Sequence, residues 1–360
     1  MNYLIYPILV ITFLLTDISA AEKSSIVIFR SLGSLDKCHQ SSKAFKISGD
    51  GLKIFGTSKT CDGVRRFVWS ESSGIKQSAN FNRDDFRTKV ISSFKHINVV
   101  VASKKSKDNN KDQFLIDEEN NKQYLKNINR NYFITSISDD GHYLAGYTID
   151  TNKNTNPFIW NRTRGINWLH NIQQYSSKVT IADLSENGFY VVGNRKTGNA
   201  KEAFIWNKLE GMKGLGDLDG GRFNSIARDI SADGTTVVGT SSSDNSFHEA
   251  FIWNKNKGMQ GLGDLPNSYF ISDANSVSGD GSIVVGKGDG GEFITEAFIW
   301  NRKDGMQNIK SMLIKQYSLD LEGWQLYSAT DISNDGSTIV GMGFNPDGKN
   351  EAWMVKISRY

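Results

Sequence analysis

Apolar and polar positions along this chain follow a block that recurs about every 47 residues. Each block holds an apolar run ending in Ile-Ser or a close relative, an Asp-Gly or Asn-Gly step, a run like Val-Val-Gly, and a run like Ala-Phe-Ile-Trp. The glycine of the Asp-Gly or Asn-Gly step gives the register of six clear copies: Gly51, Gly141, Gly188, Gly234, Gly281 and Gly336. Successive steps from Gly141 are 47, 46, 47 and finally 55 residues, so the pattern is an internal repeat.

Each part of the block predicts one strand of a small antiparallel sheet. An Asp-Gly step between two apolar runs is a hairpin signal, because tight primed turns need positive φ, and it joins strand a to strand b. The Ala-Phe-Ile-Trp run is apolar at every position, so this strand c is expected to be buried on both faces. The segment Gly-Met-Xaa-Xaa-Leu then begins strand d. Four strands in about 47 residues are typical of one blade of a β-propeller.

The spacing and the two chain ends predict the number of blades and how the ring closes. The interval from Gly51 to Gly141 is double length, and the segment near residues 85–130 is interpreted as a degenerate seventh copy. The last copy stops after its strand c at 351–357, whereas residues 25–35 resemble a strand d. We therefore predict an all-β propeller of about seven four-stranded blades, closed by the N-terminal strand completing the last blade. An open solenoid is the alternative architecture.

Residues 1–20 are predicted to be a cleaved signal peptide, and residues 21–360 a single propeller domain. The apolar run Leu4–Leu15 would span about 18 Å as a helix, which is short for a bilayer, and small residues follow at 19–21. An uncleaved anchor is the alternative. The mature chain is expected to have no transmembrane segment and to be extracellular, periplasmic or on the cell surface.

Composition and cysteine usage narrow the partners and the compartment. The 42 basic and 39 acidic residues nearly cancel, so no nucleic-acid partner is expected. The only cysteines are Cys38 and Cys61, placed in a d–a loop and in a b–c loop of the same blade. Strand alternation puts these loops on one face, and an exported protein is oxidised, so a disulfide is predicted.

The repeat elements resemble those of the bacterial extracellular HAF-repeat proteins, named for a His-Ala-Phe triplet before the aromatic strand. The triplet stands here as Glu202–Phe204, Glu249–Phe251 and Glu296–Phe298, so the histidine is replaced. The Gly-Leu-Gly-Asp-Leu and Ile-Ser-Xaa-Asp-Gly elements match, as does the segment 321–353. The resemblance covers nearly all of the mature chain except about 80–130. It implies export and a repeat fold but no particular activity.

The motifs that could carry chemistry are each explained by the repeat. The Ser-Xaa-Asp-Gly boxes resemble the Asp boxes of sialidase propellers, yet their Asp and Gly are adjacent, as a hairpin turn requires. The segment 214–221 bears a faint likeness to a calcium nonapeptide and is interpreted as a Gly-kinked outer strand. The recurring Trp of strand c could stack sugars, but inter-blade core is favoured. The five histidines lack metal-ligand spacing. We expect no catalytic residue, no metal and no cofactor.

Two classes of function remain open. The favoured one is a monomeric, non-enzymatic binding scaffold for a glycan or protein ligand. The alternative is a propeller hydrolase or lyase that acts on envelope or extracellular polysaccharide at the channel mouth.

The ligand is predicted to bind on the face formed by the d–a and b–c loops, because those loops vary whereas the turns at the other face are short and alike. Phe247, His248 and Phe293, which lie in b–c loops, are the candidate ligand-binding residues; packing of the two phenylalanines against their blades is the alternative. The rival surface is a basic ring on the c–d turns: Arg162, Arg164, Lys208, Lys255, Lys257, Arg302 and Lys303.

Overall fold

The computed structural model describes residues 26–78, 86–94, 97–105, 111–116, 122–124, 132–169, 178–266, 269–291 and 294–358. The predicted signal peptide lies outside the described residues. Within them no helix is both long enough and apolar enough to cross a bilayer.

The described chain forms 28 strands and one helix. In chain order they are β1 (Ile26–Ser31); β2 (Ser41–Ile47), β3 (Lys53–Thr60), β4 (Gly63–Ser70), β5 (Gly74–Gln77); β6 (Phe86–Phe94), β7 (Ile97–Lys105), β8 (Lys111–Ile116), β9 (Lys122–Tyr124); β10 (Tyr132–Ile137), β11 (Tyr143–Ile149), β12 (Thr155–Asn161), β13 (Gly165–Trp168); β14 (Val179–Leu184), β15 (Tyr190–Thr197), β16 (Ala200–Asn207), β17 (Gly211–Gly214); β18 (Ser225–Ile230), β19 (Thr236–Ser241), β20 (Glu249–Asn254), β21 (Gly258–Gly261); β22 (Ser272–Val277), β23 (Ile283–Asp289), β24 (Thr295–Asn301), β25 (Gly305–Asn308); α1 (Ile309–Tyr317); β26 (Gln325–Ile332), β27 (Thr338–Phe344) and β28 (Asn350–Ser358).

These strands form a β-propeller of seven four-stranded antiparallel sheets, and its closure is confirmed. Six sheets use four consecutive strands, from β2–β5 for blade 1 to β22–β25 for blade 6. Blade 7 has the order β26–β27–β28–β1, so the N-terminal strand supplies its strand d. The pairing runs antiparallel from Ile26 opposite Ser358 to Ser31 opposite Trp353. The segment near 85–130, predicted as a degenerate copy, forms blade 2.

Strand c is buried on both faces, as its uninterrupted apolar run predicts. In blade 5, Ala250 and Phe251 are fully buried, and Ile252 and Trp253 are 4% and 5% exposed. The Trp at this position is buried in blades 1, 3, 4 and 5 and half-buried in blade 6. This Trp is therefore part of the core between blades and does not form a sugar-stacking platform.

The Ser-Xaa-Asp-Gly boxes are the a–b hairpin turns. In blade 5 the Ser231 hydroxyl donates to Asp233 at 2.5 Å, and the backbone N–H of Thr236 donates back to Ser231 Oγ at 3.0 Å. Gly234 has φ of 76°, which a side chain would strain. The same Ser-to-Asp or Ser-to-Asn hydrogen bond occurs in blades 1, 3, 4, 6 and 7.

All seven inner strands carry a β-bulge at the same place, a feature that the sequence pattern did not predict. In blades 1 and 6, the backbone N–H two residues after the bulge donates to a carboxylate of the preceding blade. Ile47 donates to Asp331 and Val277 donates to Asp229, both at 2.8 Å. These bonds join neighbouring blades around the channel and satisfy buried backbone groups.

The longest repeat interval, which ends at Gly336, contains the helix α1. Asn308 caps its first turn by accepting the N–H of Ser311 at 2.8 Å. Ile309 and Leu313 are fully buried against blades 6 and 7. The extra residues of this interval therefore add an apolar cover to the core and do not add a strand.

Candidate binding face

The propeller channel is narrowed at the a–b face by the hairpin turns themselves. Along part of the ring, the Xaa residues of the Ser-Xaa-Asp-Gly turns are hydrogen-bonded to one another. The Asn334 N–H donates to the Gly49 carbonyl and the Gly279 N–H donates to the Asn334 carbonyl, each at 2.9 Å. The Asn334 amide also donates to the Asp139 carboxylate at 2.7 Å, from blade 7 to blade 3. These contacts bring the turns of blades 1, 3, 6 and 7 together at this end of the channel.

A cavity of about 750 Å³ occupies the channel above these turns. Its described lining comes from blades 1, 4, 5, 6 and 7, chiefly from inner strands and residues beside them: Phe45, Ala182, Ile226, Ala227, Arg228, Asn275, Lys287, Thr295, Tyr327, Ser328, Thr330 and Met342. A volume of this size is in the range of protein ligand sites.

A charged cluster lies at the channel mouth between blades 5 and 6, near the d–a and b–c loops. Asp273 accepts from Arg228 at 3.1 Å and from the Thr240 hydroxyl at 2.7 Å, and Lys287 lies 3.5 Å away. His248 Nδ1 is 3.7 Å from the same carboxylate. Burial disfavours the charged Asp273, but the Thr240 hydrogen bond and the nearby cations outweigh it and lower the pKa of the carboxyl.

This arrangement keeps two cationic side chains partly in solvent over one carboxylate. The side chains of Arg228 and Lys287 are 39% and 41% exposed, whereas that of Asp273 is 11% exposed. Within this cluster the Asp273 carboxylate compensates one of the two positive charges. Two further carboxylates lie in the adjoining loops, where Asp289 accepts the N–H of Tyr269 at 2.8 Å and Asp264 accepts the N–H of Ile271 at 2.5 Å.

Backbone hydrogen bonds connect the loops around this mouth into one surface. Ser272 N–H donates to the His248 carbonyl at 2.9 Å, which joins the b–c loop of blade 5 to the start of β22. Asp289 N–H donates to the Ile271 carbonyl at 2.7 Å, and Gly290 N–H donates to the Ile294 carbonyl at 2.6 Å. The b–c loop of blade 6 is thereby held beside the same segment.

The connected loops expose large apolar side chains. Phe247 is 68% exposed, Tyr269 65%, Ile271 47%, Ile294 42% and Phe223, in the d–a loop before blade 5, 42%. Phe247 and His248 lie where the sequence predicts, on the face of the variable loops, and Phe293 lies outside the described residues. We call the surface formed by these five apolar residues and the charged cluster the blade 5–6 surface.

Sequence reasoning missed Arg228, Asp273 and Lys287 because each lies in a strand rather than a variable loop. For Arg228, the sequence did contain one indication of its position in the cavity. The residue two before the Ile-Ser or equivalent pair changes from copy to copy, as Phe45, Arg228, Asn275 and Thr330 show, and this position faces the cavity.

The seven residues of the rival basic ring are exposed on the c–d turns, as predicted. Their environments differ. Lys255 forms an ion pair with Glu210 at 2.6 Å, whereas no carboxylate among the described residues pairs with Arg164 or Lys208.

The predicted disulfide between Cys38 and Cys61 is confirmed, with a Cα–Cα distance of 5.5 Å. These sulfurs and the Asp36 carboxylate form the one group of three potential metal ligands among the described residues. The cysteine sulfurs are bonded to each other, so this group offers no thiolate.

Solved structures support the architecture. The oligogalacturonate lyase of Vibrio parahaemolyticus is 11% identical, with a TM-score of 0.57, and the match covers 93% of this chain and 98% of that one. The β-propeller domain of the trilobed protease of Pyrococcus furiosus is 13% identical, with a TM-score of 0.52 over 78% and 84% of the two chains. A weaker likeness is to TolB of Acinetobacter baumannii, which is 14% identical with a TM-score of 0.45 over 72% of this chain and 60% of the TolB chain; the support for the architecture comes from the first two structures.

At these identities the likeness shows the fold alone. Neither a family model nor a curated protein sequence matches the chain. The resemblance to HAF-repeat proteins therefore stays a prediction.

Proposed function

We propose that this chain is an exported, non-enzymatic binding protein of the HAF-repeat type, and that it binds a protein ligand on the blade 5–6 surface. The observation that carries the proposal is the group of exposed apolar side chains beside the Arg228, Lys287 and Asp273 cluster at the channel mouth. Phe247 and Tyr269 each expose about two thirds of their surface on loops held together by backbone hydrogen bonds. Contiguous exposed apolar groups with a polar margin are typical of protein interaction sites.

The composition of this surface favours protein over glycan. Two isoleucines contribute to it, Ile271 and Ile294, and aliphatic side chains gain most from contact with apolar side chains of a partner. Aromatic residues and Arg are also the residue types that contribute most to protein interfaces. Arg228 and Lys287 provide the complement for a carboxylate on the same ligand.

Export is supported by the disulfide, because such bonds persist in oxidising compartments. A polysaccharide hydrolase or lyase has the likeness to a lyase propeller in its favour, and that likeness reaches only the fold. We therefore treat turnover of a polysaccharide as an outcome of the test. The monomeric state stays a prediction, which light scattering after gel filtration would check.

The test presents the purified protein to a phage-displayed random peptide library and, separately, to a glycan array. The chain is attached through its C-terminus, because Ser358, at the end of β28, lies at the c–d face, away from the blade 5–6 surface. Selected peptides are then measured against Phe247→Ser and Ile271→Ser. The matched control is Leu52→Ser, since Leu52 is 53% exposed at an a–b turn on the opposite face.

We expect peptides that bind the parent, lose about tenfold or more in affinity with either surface variant, and bind the Leu52 variant normally. Saturable binding to glycans with no selected peptide would contradict the protein ligand. New reducing ends or unsaturated products from a polysaccharide would establish the enzyme alternative. Equal losses in the Leu52 variant would place the site elsewhere.

A further inference from the structure

Two neighbouring grooves on the c–d face are built from equivalent residues of successive blades but differ in chemistry. One lies between blades 3 and 4 and has a volume of about 440 Å³, and the other lies between blades 4 and 5 and has about 420 Å³. Four lining positions hold the same residue type in both grooves. Naming the residue of the first groove first, these pairs are Tyr143 and Tyr190, Ile159 and Ile205, Asn161 and Asn207, and Trp206 and Trp253. The second groove therefore serves as an internal reference for the first, which we call the blade 3–4 groove.

The first difference between the grooves is charge. In the reference groove, Glu210 before the glycine of one c–d turn pairs with Lys255 of the next turn at 2.6 Å. The equivalent residues of the blade 3–4 groove are Arg164 and Lys208. Two cations thus occupy positions that hold an ion pair one blade further on. No Asp or Glu is among the described residues that line this groove, so its charge is not compensated.

The second difference is aromatic surface. Trp168 and Phe189 line the blade 3–4 groove and are 40% and 39% exposed, and Leu209 is 82% exposed. Their equivalents one blade further on are Gly214, Thr235 and Asn256. The aromatic rings are held by edge contacts, with Phe189 4.8 Å from Tyr190 and Trp168 6.1 Å from Phe158 between ring centroids.

Amide donors complete the blade 3–4 groove. The Asn161 side-chain oxygen accepts the N–H groups of Thr163 and Arg164, at 3.0 and 3.2 Å, so its NH₂ group is directed to other acceptors. The Asn187 oxygen is used in the same way by Ser185 and Phe189. No acceptor in the described part of the chain is hydrogen-bonded to either NH₂ group, so each amide offers two donors to a ligand.

We infer that the blade 3–4 groove binds an acidic saccharide, with a uronate residue as its ligand unit. The C–H faces of a sugar ring would lie on Trp168 and Phe189, its carboxylate would accept from Arg164 and Lys208, and its hydroxyls would accept from the asparagine amides. A uronate carries a flat apolar face, hydroxyls and a carboxylate within one ring, and the groove presents their three complements within one cavity. This site lies on the face opposite the blade 5–6 surface and does not depend on the function proposed above.

The test is calorimetric titration of the full chain with tetramers of galacturonate, glucuronate and mannuronate, and with their methyl esters as uncharged controls. Substitutions taken from the repeat itself keep the fold, because each residue already occupies the equivalent position one blade further on. They are Arg164→Glu, which should pair with Lys208 as Glu210 pairs with Lys255, and Phe189→Thr. Glu210→Arg in the reference groove is the matched control.

We expect at least one acid tetramer to bind and its ester to bind at least about tenfold more weakly. Arg164→Glu and Phe189→Thr should each lower the affinity by a similar factor with an unchanged melting temperature. Glu210→Arg and Phe247→Ser should leave it unchanged, which separates this site from the blade 5–6 surface.

Three results with the uronates would overturn the inference: no binding of any acid tetramer, equal binding of acid and ester, or full binding by both groove variants. Vesicles of phosphatidylglycerol and an acidic phosphopeptide are included as probes. Tighter binding of either one than of the uronates, lost in the groove variants, would assign the groove to another anion and refute the saccharide.

Discussion

Replacing Phe29 with alanine tests whether the N-terminal strand holds the whole ring closed. Phe29 lies in β1 opposite Val355 of β28, and its ring is 5.1 Å from that of Trp324 and 6.5 Å from that of Trp353. Ile28 is the adjacent residue of the same strand, and its side chain is 37% exposed on the other face. Phe29→Ala therefore removes a side chain that packs in the core, whereas Ile28→Ala removes a large side chain of the same strand that does not.

The magnitude follows from burial. Full truncation of a buried Phe costs about 3–5 kcal/mol, and Phe29 is half-buried, so the loss from packing should be about 2 kcal/mol. The aromatic contacts add about 0.5–1 kcal/mol. We expect Phe29→Ala to lower the free energy of unfolding by about 2–3 kcal/mol. Ile28→Ala should lower it by less than about 1 kcal/mol.

Equilibrium unfolding in urea, followed by tryptophan fluorescence and by circular dichroism, measures both variants. If closure makes the ring one cooperative unit, both signals shift together for Phe29→Ala. Deletion of residues 22–36 should lower the stability of the whole domain in the same manner. A truncated protein that melts like the parent, or equal effects of the two point variants, would refute closure by β1.

Three further predictions concern other parts of the fold. Cys38→Ser with Cys61→Ser should cost about 3 kcal/mol of unfolding free energy, because the bond closes a loop with a sequence separation of 23; two free thiols in the native protein would contradict the bond. Ser231→Ala should cost about 1–2 kcal/mol in urea unfolding, because it removes a donor to Asp233 and an acceptor for Thr236 N–H; an unchanged midpoint would be the contrary result. Burial raises the pKa of Glu186 from 4.5 to about 7, so the folded state binds more protons over that interval and the contribution of this group to stability falls as pH rises. Glu186→Gln should therefore flatten the pH profile of the unfolding midpoint between those values, and an identical profile would show that this carboxyl does not cause the slope.

The features that could be predicted from the sequence are those written in consecutive residues. An Asp-Gly step fixes a hairpin because Gly234 supplies the positive φ, and the missing last strand together with residues 25–35 indicates how the ring closes. The disulfide followed from the alternation of loops between two faces. These inferences need only local chemistry and the number of strands.

The features that could not be predicted depend on contacts between blades. The carboxylate of Asp273 meets Arg228 and Lys287 only after two sheets are packed side by side, and no spacing in the chain encodes that meeting. The seven residues of the basic ring were predicted as one set. In the structure Glu210 pairs with Lys255, whereas the position equivalent to Glu210 in the preceding blade holds Arg164. The helix α1 was not predicted from the longer last interval, because a short helix in a connection leaves the strand pattern unchanged.

Hydrogen–deuterium exchange with the tightest selected peptide tests the proposed binding face most directly. The account predicts slower exchange on peptide binding in segments 242–248, 269–272 and 289–291, which form the loops of the blade 5–6 surface. The c–d turns at 207–211 and 254–258 should exchange at the rate of the free protein. Protection of those turns, with the three loop segments unchanged, would contradict it.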